Sequence, residues 1–348
     1  MKTKLLLPII ALALFAACSD DGNSATAPAA PTSEPVADTT AVPGVDPAAD
    51  PGQQTESTEN MTDSTLADTT ASTTDQTDTS ASVPTDPVTD PVTDPTTPVE
   101  NPNVTYVYYG AELTGKDQFK YGRFEARMKM VSIPGSVSSM FLYYDNSWEK
   151  GVEPWNEIDI EVLGKGGTMW QSNIITREAD PSIKSTTASE SKPLHDFGFD
   201  ATEDFHLFAI VWTPEYVAWE IDSVEIRRDT LGMARGTHAD ADQVAFLTEQ
   251  QSLRFNLWAS KSAGWVGRFT GEELAAGPQV QWIDYVRVYS YDESTKGFTQ
   301  LWQDDFDGTS LSEHWAKGNW EMERVELDPF NVVVEDGYCK LMMTREPG

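Results

Sequence analysis

From Trp155 to Glu161 the chain reads Trp-Asn-Glu-Ile-Asp-Ile-Glu, three carboxylates alternating with two isoleucines. On a β-strand successive side chains project to opposite faces, so Glu157, Asp159 and Glu161 share one face while Ile158, Ile160 and Val162 share the other. The stretch therefore specifies a strand with one core face and one acidic face. The ordinary fate of such alternation is a solvated sheet surface. Here no cation separates the like charges, and Trp148 and Trp155 stand just upstream. Carboxylates that repel along one strand face lower stability, so their presence points to a use.

Met1 to Ala17 carries two lysines, an apolar run from Leu5 to Phe15 and small residues before Cys18. This is the pattern of a secretory signal, too short for a spanning helix. Ala16-Ala17-Cys18 resembles the lipobox of bacterial lipoproteins, with Phe15 where that motif usually has Leu. The resemblance makes Cys18 the expected site of acylation; ordinary cleavage beside an incidental cysteine is the alternative. Ser19-Asp20-Asp21 resembles the acidic tract that sends some lipoproteins to the cell surface. The expected location is thus that of a secreted bacterial lipoprotein, at the outer membrane or cell surface, with membrane contact only through the lipid.

From residue 18 to 103 the composition is Thr, Asp, Ser, Pro and Ala, with sixteen acidic residues, no Lys or Arg and no aromatic residue after Cys18. A short repeat, Thr-Asp-Pro-Val, recurs between Thr85 and Pro95. Such a segment buries too little apolar surface to offset its chain entropy, so a disordered acidic linker is predicted over 18–103.

Residues 104–348 contain all 11 tryptophans and 40 acidic against 22 basic residues. About 245 residues suffice for one large β-sandwich. The acidic balance argues against nucleic acid or an anionic membrane surface and favours a neutral ligand. Cys339 is the only cysteine outside the signal, which rules out an internal disulfide and suggests a buried strand residue. His195, His206, His238 and His314 lack the spacing of a zinc site or a His-based triad. No feature specifies an oligomer, and a monomer is the expectation.

Period-two alternation recurs over Tyr121 to Met130, Phe205 to Trp212, Ser252 to Trp258 and Val280 to Tyr291. Tyr216 to Ile221 and Val224 to Arg228 read as a hairpin closed by Asp222-Ser223. Helix is expected only in short pieces, from Gly271 to Ala276 and around Ser310 to Trp315. Many short strands with little helix indicate an all-β fold, a jelly-roll β-sandwich.

Five blocks then carry a resemblance: Glu157-Ile-Asp-Ile-Glu161, Tyr121-Gly-Arg-Phe-Glu-Ala-Arg127, Trp212-Thr-Pro-Glu-Tyr216, Arg254-Phe-Asn-Leu-Trp258 and Asp284-Tyr-Val-Arg-Val-Tyr289. Residues 106 to 346 resemble the family 16 glycoside hydrolases, and among them the 1,3-1,4-β-glucanases called lichenases. In most of that family a segment like Leu301 to Gly308 opens the domain, whereas here it closes it. The order implies a circular permutant, with new ends near Val104 and Gly348 and the old ends joined across Ser290 to Phe298.

Glycoside cleavage with retention needs a carboxylate nucleophile and a protonated carboxyl about 5 to 5.5 Å apart. Four residues of straight strand separate the Glu157 and Glu161 backbones by roughly 13 Å. Two long glutamate side chains leaning together on a curved strand close most of that gap, but the spacing leaves their roles symmetric. The resemblance makes Glu157 the nucleophile and Glu161 the acid/base, with Asp159 splitting their proton affinities. It also implies sugar contacts from Phe141, Tyr143, Trp155, Gln171, Asn173, Arg254, Asn256, Trp258 and Trp320. Asp145 stands where the nearest relatives carry asparagine, and the loop from Arg235 to Gln250 is longer than theirs.

A structural calcium is a further implication, held by the Asp284 side chain and backbone oxygens of Asp305 and Gly337 on the convex side; catalysis itself needs no cofactor. The compact Glu-x-Asp-x-Glu spacing, without the extra residue usual in enzymes acting on 1,3-β-glucans or agars, implies mixed-linkage β-glucan as substrate. Laminarin or xyloglucan specificity stays open, as does a non-catalytic glucan-binding lectin.

Overall fold

The alternating stretches pair with one another as strands, each apolar face turned inwards. This is a computed structural model, and the residues described are 104–149, 152–178, 189–233, 235, 236 and 242–348. The chain divides into two units, Met1–Ser19 with Asp94–Gly348, and Asp20–Thr93; every described residue belongs to the first. The expected signal, Cys18, the linker and His238 lie outside the described residues. Among the described residues no helix is long and apolar enough to cross a membrane.

In chain order the strands are β1 (Tyr106–Gly115), β2 (Gly122–Lys129), β3 (Ser136–Tyr143), β4 (Trp155–Leu163), β5 (Met169–Arg177), β6 (Ser189–Glu190), β7 (Leu194–Asp196), β8 (His206–Trp212) and β9 (Tyr216–Ile221). They continue with β10 (Val224–Thr230), β11 (Ser252–Ala259), β12 (Gln279–Asp292), β13 (Gly297–Asp304), β14 (Trp315–Lys317), β15 (Glu321–Met322), β16 (Val325–Leu327), β17 (Val332–Glu335) and β18 (Tyr338–Pro347).

One sheet runs β14, β1, β11, β3, β4, β5, β7, all antiparallel. The other runs β10, β9, β8, β2, β12, with β18 and then β13 sharing the far side of β12. β1 belongs to both layers, since Tyr106 to Tyr109 pair with β18 while Ala111 to Thr114 pair with β11. The result is an all-β jelly-roll sandwich.

Ile158, Ile160 and Val162 of β4 are fully buried against Phe124, Met128, Phe208, Ile210, Ile283 and Val288 of the opposite sheet's inner face. Burying each such side chain contributes about 1.5–3 kcal/mol, which fixes the register of β4, because a one-residue slip turns its carboxylates into the core. Polar links also cross the layers between β4 or β3 and the facing sheet. The Trp219 indole donates to the Asp159 carbonyl at 2.9 Å, and Gln281 donates to the Ser139 carbonyl at 3.1 Å.

The hairpin between β9 and β10 turns at Asp222 (φ 49°) and Ser223 (φ 66°), two left-handed residues whose twist suits a two-residue hairpin. The Asp222 carboxylate accepts from the Leu207 amide at 2.9 Å, which holds a turn that usually favours glycine. Cys339 is a buried free thiol on β18. The helical expectations need correction. Ser310 to His314 forms bends and turns that lead into β14, and 271–276 holds only the three-residue 3-10 turn Glu272–Leu274. Two single-turn helices, Gln243–Phe246 and Ala263–Val266, form where no periodicity announced them.

Arg227 and Asp229 of β10 form an ion pair with side chains only 6% and 1% exposed. The guanidinium lies 4.3 Å from the Trp219 ring centre and donates to the Ser172 hydroxyl at 2.9 Å and the Ser191 carbonyl at 2.8 Å. It therefore fastens β5 and the segment after β6 to the other sheet. Removing one partner of such a pair strands a buried charge, so Asp229→Ala should lower unfolding free energy by about 3–5 kcal/mol in urea denaturation.

Candidate active site

β4 lies between β3 and β5, and its outer face carries the three carboxylates in register with polar neighbours. Glu157 stands opposite Tyr143 and Ile175, Asp159 opposite Phe141 and Asn173, and Glu161 opposite Ser139 and Gln171. On the next strand, Arg254 is opposite Phe141 and Asn256 opposite Ser139. The sheet thus sets Phe141, Tyr143, Gln171, Asn173, Arg254 and Asn256 on one face around the carboxylates, because every strand contributes alternate residues to it.

The hydrogen bonding distinguishes two glutamates that the sequence leaves equivalent. The Trp155 indole donates to Glu157 Oε2 at 2.6 Å. Glu161 Oε2 accepts from Gln171 Nε2 at 2.6 Å, and the Trp265 indole in turn donates to Gln171 Oε1 at 3.2 Å. Asp159 is 3% exposed, Glu161 is 8% exposed and Glu157 is partly buried. Asp159 Oδ2 accepts no hydrogen bond, an environment that suits a neutral carboxyl.

Burial is the main cause of all three proton affinities. It pushes Glu157 up to about 7, while hydrogen bonds from Trp155 and Asp159 and the Arg254 charge hold it down. It pushes Glu161 up to about 8, reinforced by the Glu157 charge and opposed by Gln171 and Lys192. Asp159 rises well above the usual carboxylate range through burial and the charges of both glutamates. A protonated Asp159 hydrogen-bonded to Glu157 therefore favours the ionised form of Glu157. The arrangement yields one carboxylate and one carboxylic acid near neutral pH, the division of labour that acid-assisted nucleophilic attack requires.

The aromatic residues divide in function. Trp258 is only 3% exposed and packs at 6.1 Å from Trp265, forming part of the wall and leaving little open ring face. One face of Trp155 is covered by the Arg177 guanidinium, 5.1 Å from the ring centre, so its indole N–H rather than both faces serves the site. Trp320 is partly buried beside Gly318 and Glu112, at the β1 end of this face. Glu112 and Trp265 belong to the site but escaped the sequence reading. Glu112, 2% exposed, accepts from Arg254 Nη1 at 3.1 Å, and alternation along β1 is the signal that places it there. Trp265 sits on a four-residue helix in a loop, which has no periodic signal.

The three expected calcium ligands lie on the other sheet. Ile283 pairs with Cys339 and Val286 with Asp304, so Asp284 falls between β18 and β13, near Gly337 and Asp305 in register. Arg127 Nη1 donates to Asp284 Oδ2 at 2.6 Å. Among the described residues no cluster of three or more His, Cys, Asp or Glu side chains converges on a metal position. A site here would rest on one carboxylate and backbone carbonyls, a donor set that fits calcium in kind.

The buried acid has a stability consequence. Glu161 binds its proton more tightly folded than its ordinary value of 4.5, so the instability it contributes is absent below that value and grows as pH rises towards about 8. Glu161→Gln should therefore match the wild type in urea denaturation at pH 4 and exceed it by about 1–3 kcal/mol at pH 9.

Comparison with known proteins gives these carboxylates a setting. The family model "Glycosyl hydrolases family 16" matches residues 55–274, more than half of the chain. A β-glucanase of Fibrobacter succinogenes is 41% identical over 245 residues, covering 69% of this chain and 64% of the relative. A β-glucanase of Brevibacillus brevis is 29% identical over 185 residues, 53% of this chain and 62% of the relative. The chain thus spans somewhat under two thirds of the length of these relatives. A solved Bacillus licheniformis β-glucanase matches with TM-score 0.36 and 27% identity over 46% of this chain and 64% of that one. With the family model covering most of the chain and the acidic strand inside the matched region, this protein belongs to the glycosyl hydrolases of family 16.

Proposed function

We propose that the protein is an endo-acting retaining β-glucanase that cleaves β-1,4 bonds in mixed-linkage 1,3-1,4-β-glucan. The observation that carries this reading is the unequal hydrogen bonding of Glu157 and Glu161 on one strand face, with a proton-rich Asp159 between them. Two of the curated relatives bear the name β-glucanase, which favours a β-glucan as substrate. The compact spacing of the two glutamates favours the mixed-linkage polymer over laminarin.

In the first step Glu157 attacks the anomeric carbon while Glu161 gives its proton to the departing glycosidic oxygen, leaving a glycosyl ester on Glu157. Ester formation removes the Glu157 charge, one of the causes that raise Glu161. Glu161 then loses protons more readily, as a base must when it activates the incoming water. Water attacks the same carbon from the side the leaving group vacated, so configuration is retained and Glu157 is released. Asn173, Arg254 and Asn256 present amide and guanidinium donors to sugar hydroxyls along the same face.

Glu157→Gln and Glu161→Gln should each lower kcat on barley β-glucan by about 10³-fold or more. The wild-type kcat/KM profile should be bell-shaped, with limbs near 7 for ionisation of Glu157 and near 8 for loss of the Glu161 proton. Parallel assays on barley β-glucan, laminarin, xyloglucan and carboxymethylcellulose decide the substrate. Full hydrolysis by either variant overturns the mechanism, and preference for laminarin overturns the linkage assignment.

The reading extends to two features of the scaffold. The chain order is that of a circular permutant, with the hairpin between β12 and β13 joining the former ends; pairing of Tyr106 with Pro347 supports it by placing the new ends side by side. A calcium ion held by Asp284 and carbonyls of Asp305 and Gly337 would pin β12, β13 and β18 together. Adding calcium to EDTA-treated protein should raise the melting temperature by several degrees, and Asp284→Asn should abolish that rise; an unchanged melting curve refutes the site.

A further inference from the structure

We propose that Asp145 is a positioning residue for catalysis, which clamps Arg254 against Tyr143 and offsets the positive charge that reaches the nucleophile Glu157. The proposal rests on the reading of Glu157 as nucleophile and concerns a residue with no assigned part in the chemistry. Arg254 lies on β11 and engages all three guanidinium nitrogens, leaving two of its five N–H groups for other partners. Nη2 donates to Asp145 Oδ1 at 2.7 Å, Nη1 to Glu112 Oε1 at 3.1 Å and Nε to the Ser252 hydroxyl at 2.9 Å. Asp145 is itself held from two sides, by the Ser252 hydroxyl at 2.8 Å on Oδ1 and by Gln118 Nε2 at 2.8 Å on Oδ2.

The clamp fixes where the cation points. The guanidinium carbon lies 4.9 Å from the Tyr143 ring centre, and Tyr143 is the strand partner of Glu157. Arg254 therefore lies against the ring of the residue paired with the nucleophile, and its charge favours the Glu157 carboxylate. Two carboxylates neutralise one guanidinium at this position. Glu112 is a fixed partner, its side chain 3% exposed, whereas the Asp145 side chain is 46% exposed and open to solvent ions.

Other charges also face Glu157. On its own strand stand Asp159 and Glu161. On neighbouring strands stand Glu190, whose position pairs with Ile175 beside Glu157, and Arg177 over Trp155, while Lys192, the ion-pair partner of Glu190, lies between β6 and β7. Asp145→Asn keeps all of these and keeps an oxygen able to accept from Arg254 and Ser252; it removes the charge and turns the acceptor facing Gln118 into a donor, which a flipped Gln118 amide can meet with its oxygen. Arg254 should then stabilise the Glu157 carboxylate more strongly.

The test compares the full-length wild type with Asp145→Asn and Asp145→Glu by kcat/KM on barley β-glucan across pH, and by ¹³C NMR of labelled glutamate carboxyls, with the Glu157 signal identified by its loss in Glu157→Gln. Asp145→Asn should move the acidic limb and the Glu157 titration midpoint down by about half a pH unit at low salt. The alkaline limb should stay, Asp145→Glu should restore the wild-type midpoint, and 1 M NaCl should shrink the shift as the screening length falls to about 3 Å. An unmoved midpoint, with or without a change in KM, overturns the clamp. Because the NMR titration needs no turnover, absence of hydrolysis by the wild type would refute the glucanase reading while the midpoint still judges the clamp.

Discussion

Three carboxyl groups on one strand face, buried with little counter-charge, set the terms for the rest of the molecule. Left to themselves they would repel and draw water. They are tolerated because β4 is anchored from behind by Ile158, Ile160 and Val162, and because the Trp219 indole holds the Asp159 carbonyl from the opposite sheet. The sandwich core thus supplies the free energy that the acidic face consumes. The same confinement makes proton affinity adjustable by single hydrogen bonds, so that an indole on Glu157 and an amide on Glu161 suffice to separate two chemically identical groups.

Period-two alternation made the strands legible in advance, since a face pattern such as Phe124, Ala126, Met128 leaves few alternatives. The hairpin at Asp222-Ser223 was legible for the same reason, aided by two residues tolerant of left-handed backbone. The short helices were not. Gln243–Phe246 and Ala263–Val266 are single turns set by the loops around them, too brief for any 3.6-residue pattern. Around Ser310 to Trp315 a short helix was expected, but the segment instead bends so that Trp315 enters β14, where its ring packs 5.9 Å from Phe255.

The site was legible strand by strand and illegible across strands. Counting along Ser252 to Trp258 puts Arg254 and Asn256 on one face, whereas Phe141 and Tyr143 were indicated only by the family resemblance; the strand register sets all four beside the carboxylates. Which of them touch depends on register between β1, β3 and β11, segments separated by up to about 140 residues in sequence. Glu112 meeting Arg254, and Trp265 reaching back to Gln171, are products of that register. The ring faces follow the same rule: Trp155 and Trp258 look like open platforms in one dimension, yet Arg177 and Trp265 already lie against them.

The strand β1 that belongs to both layers has a practical consequence. Tyr106 pairs with Pro347, and the Gly348 amide donates to the Thr105 carbonyl at 2.8 Å, so the first and last described strands meet at one edge. Any group grafted onto either strand end leaves the sandwich from the same corner. A fusion partner, affinity handle or surface linkage placed at one end or the other would hold the carboxylate-bearing sheet in nearly the same orientation, which makes the two attachment schemes interchangeable for immobilising the protein.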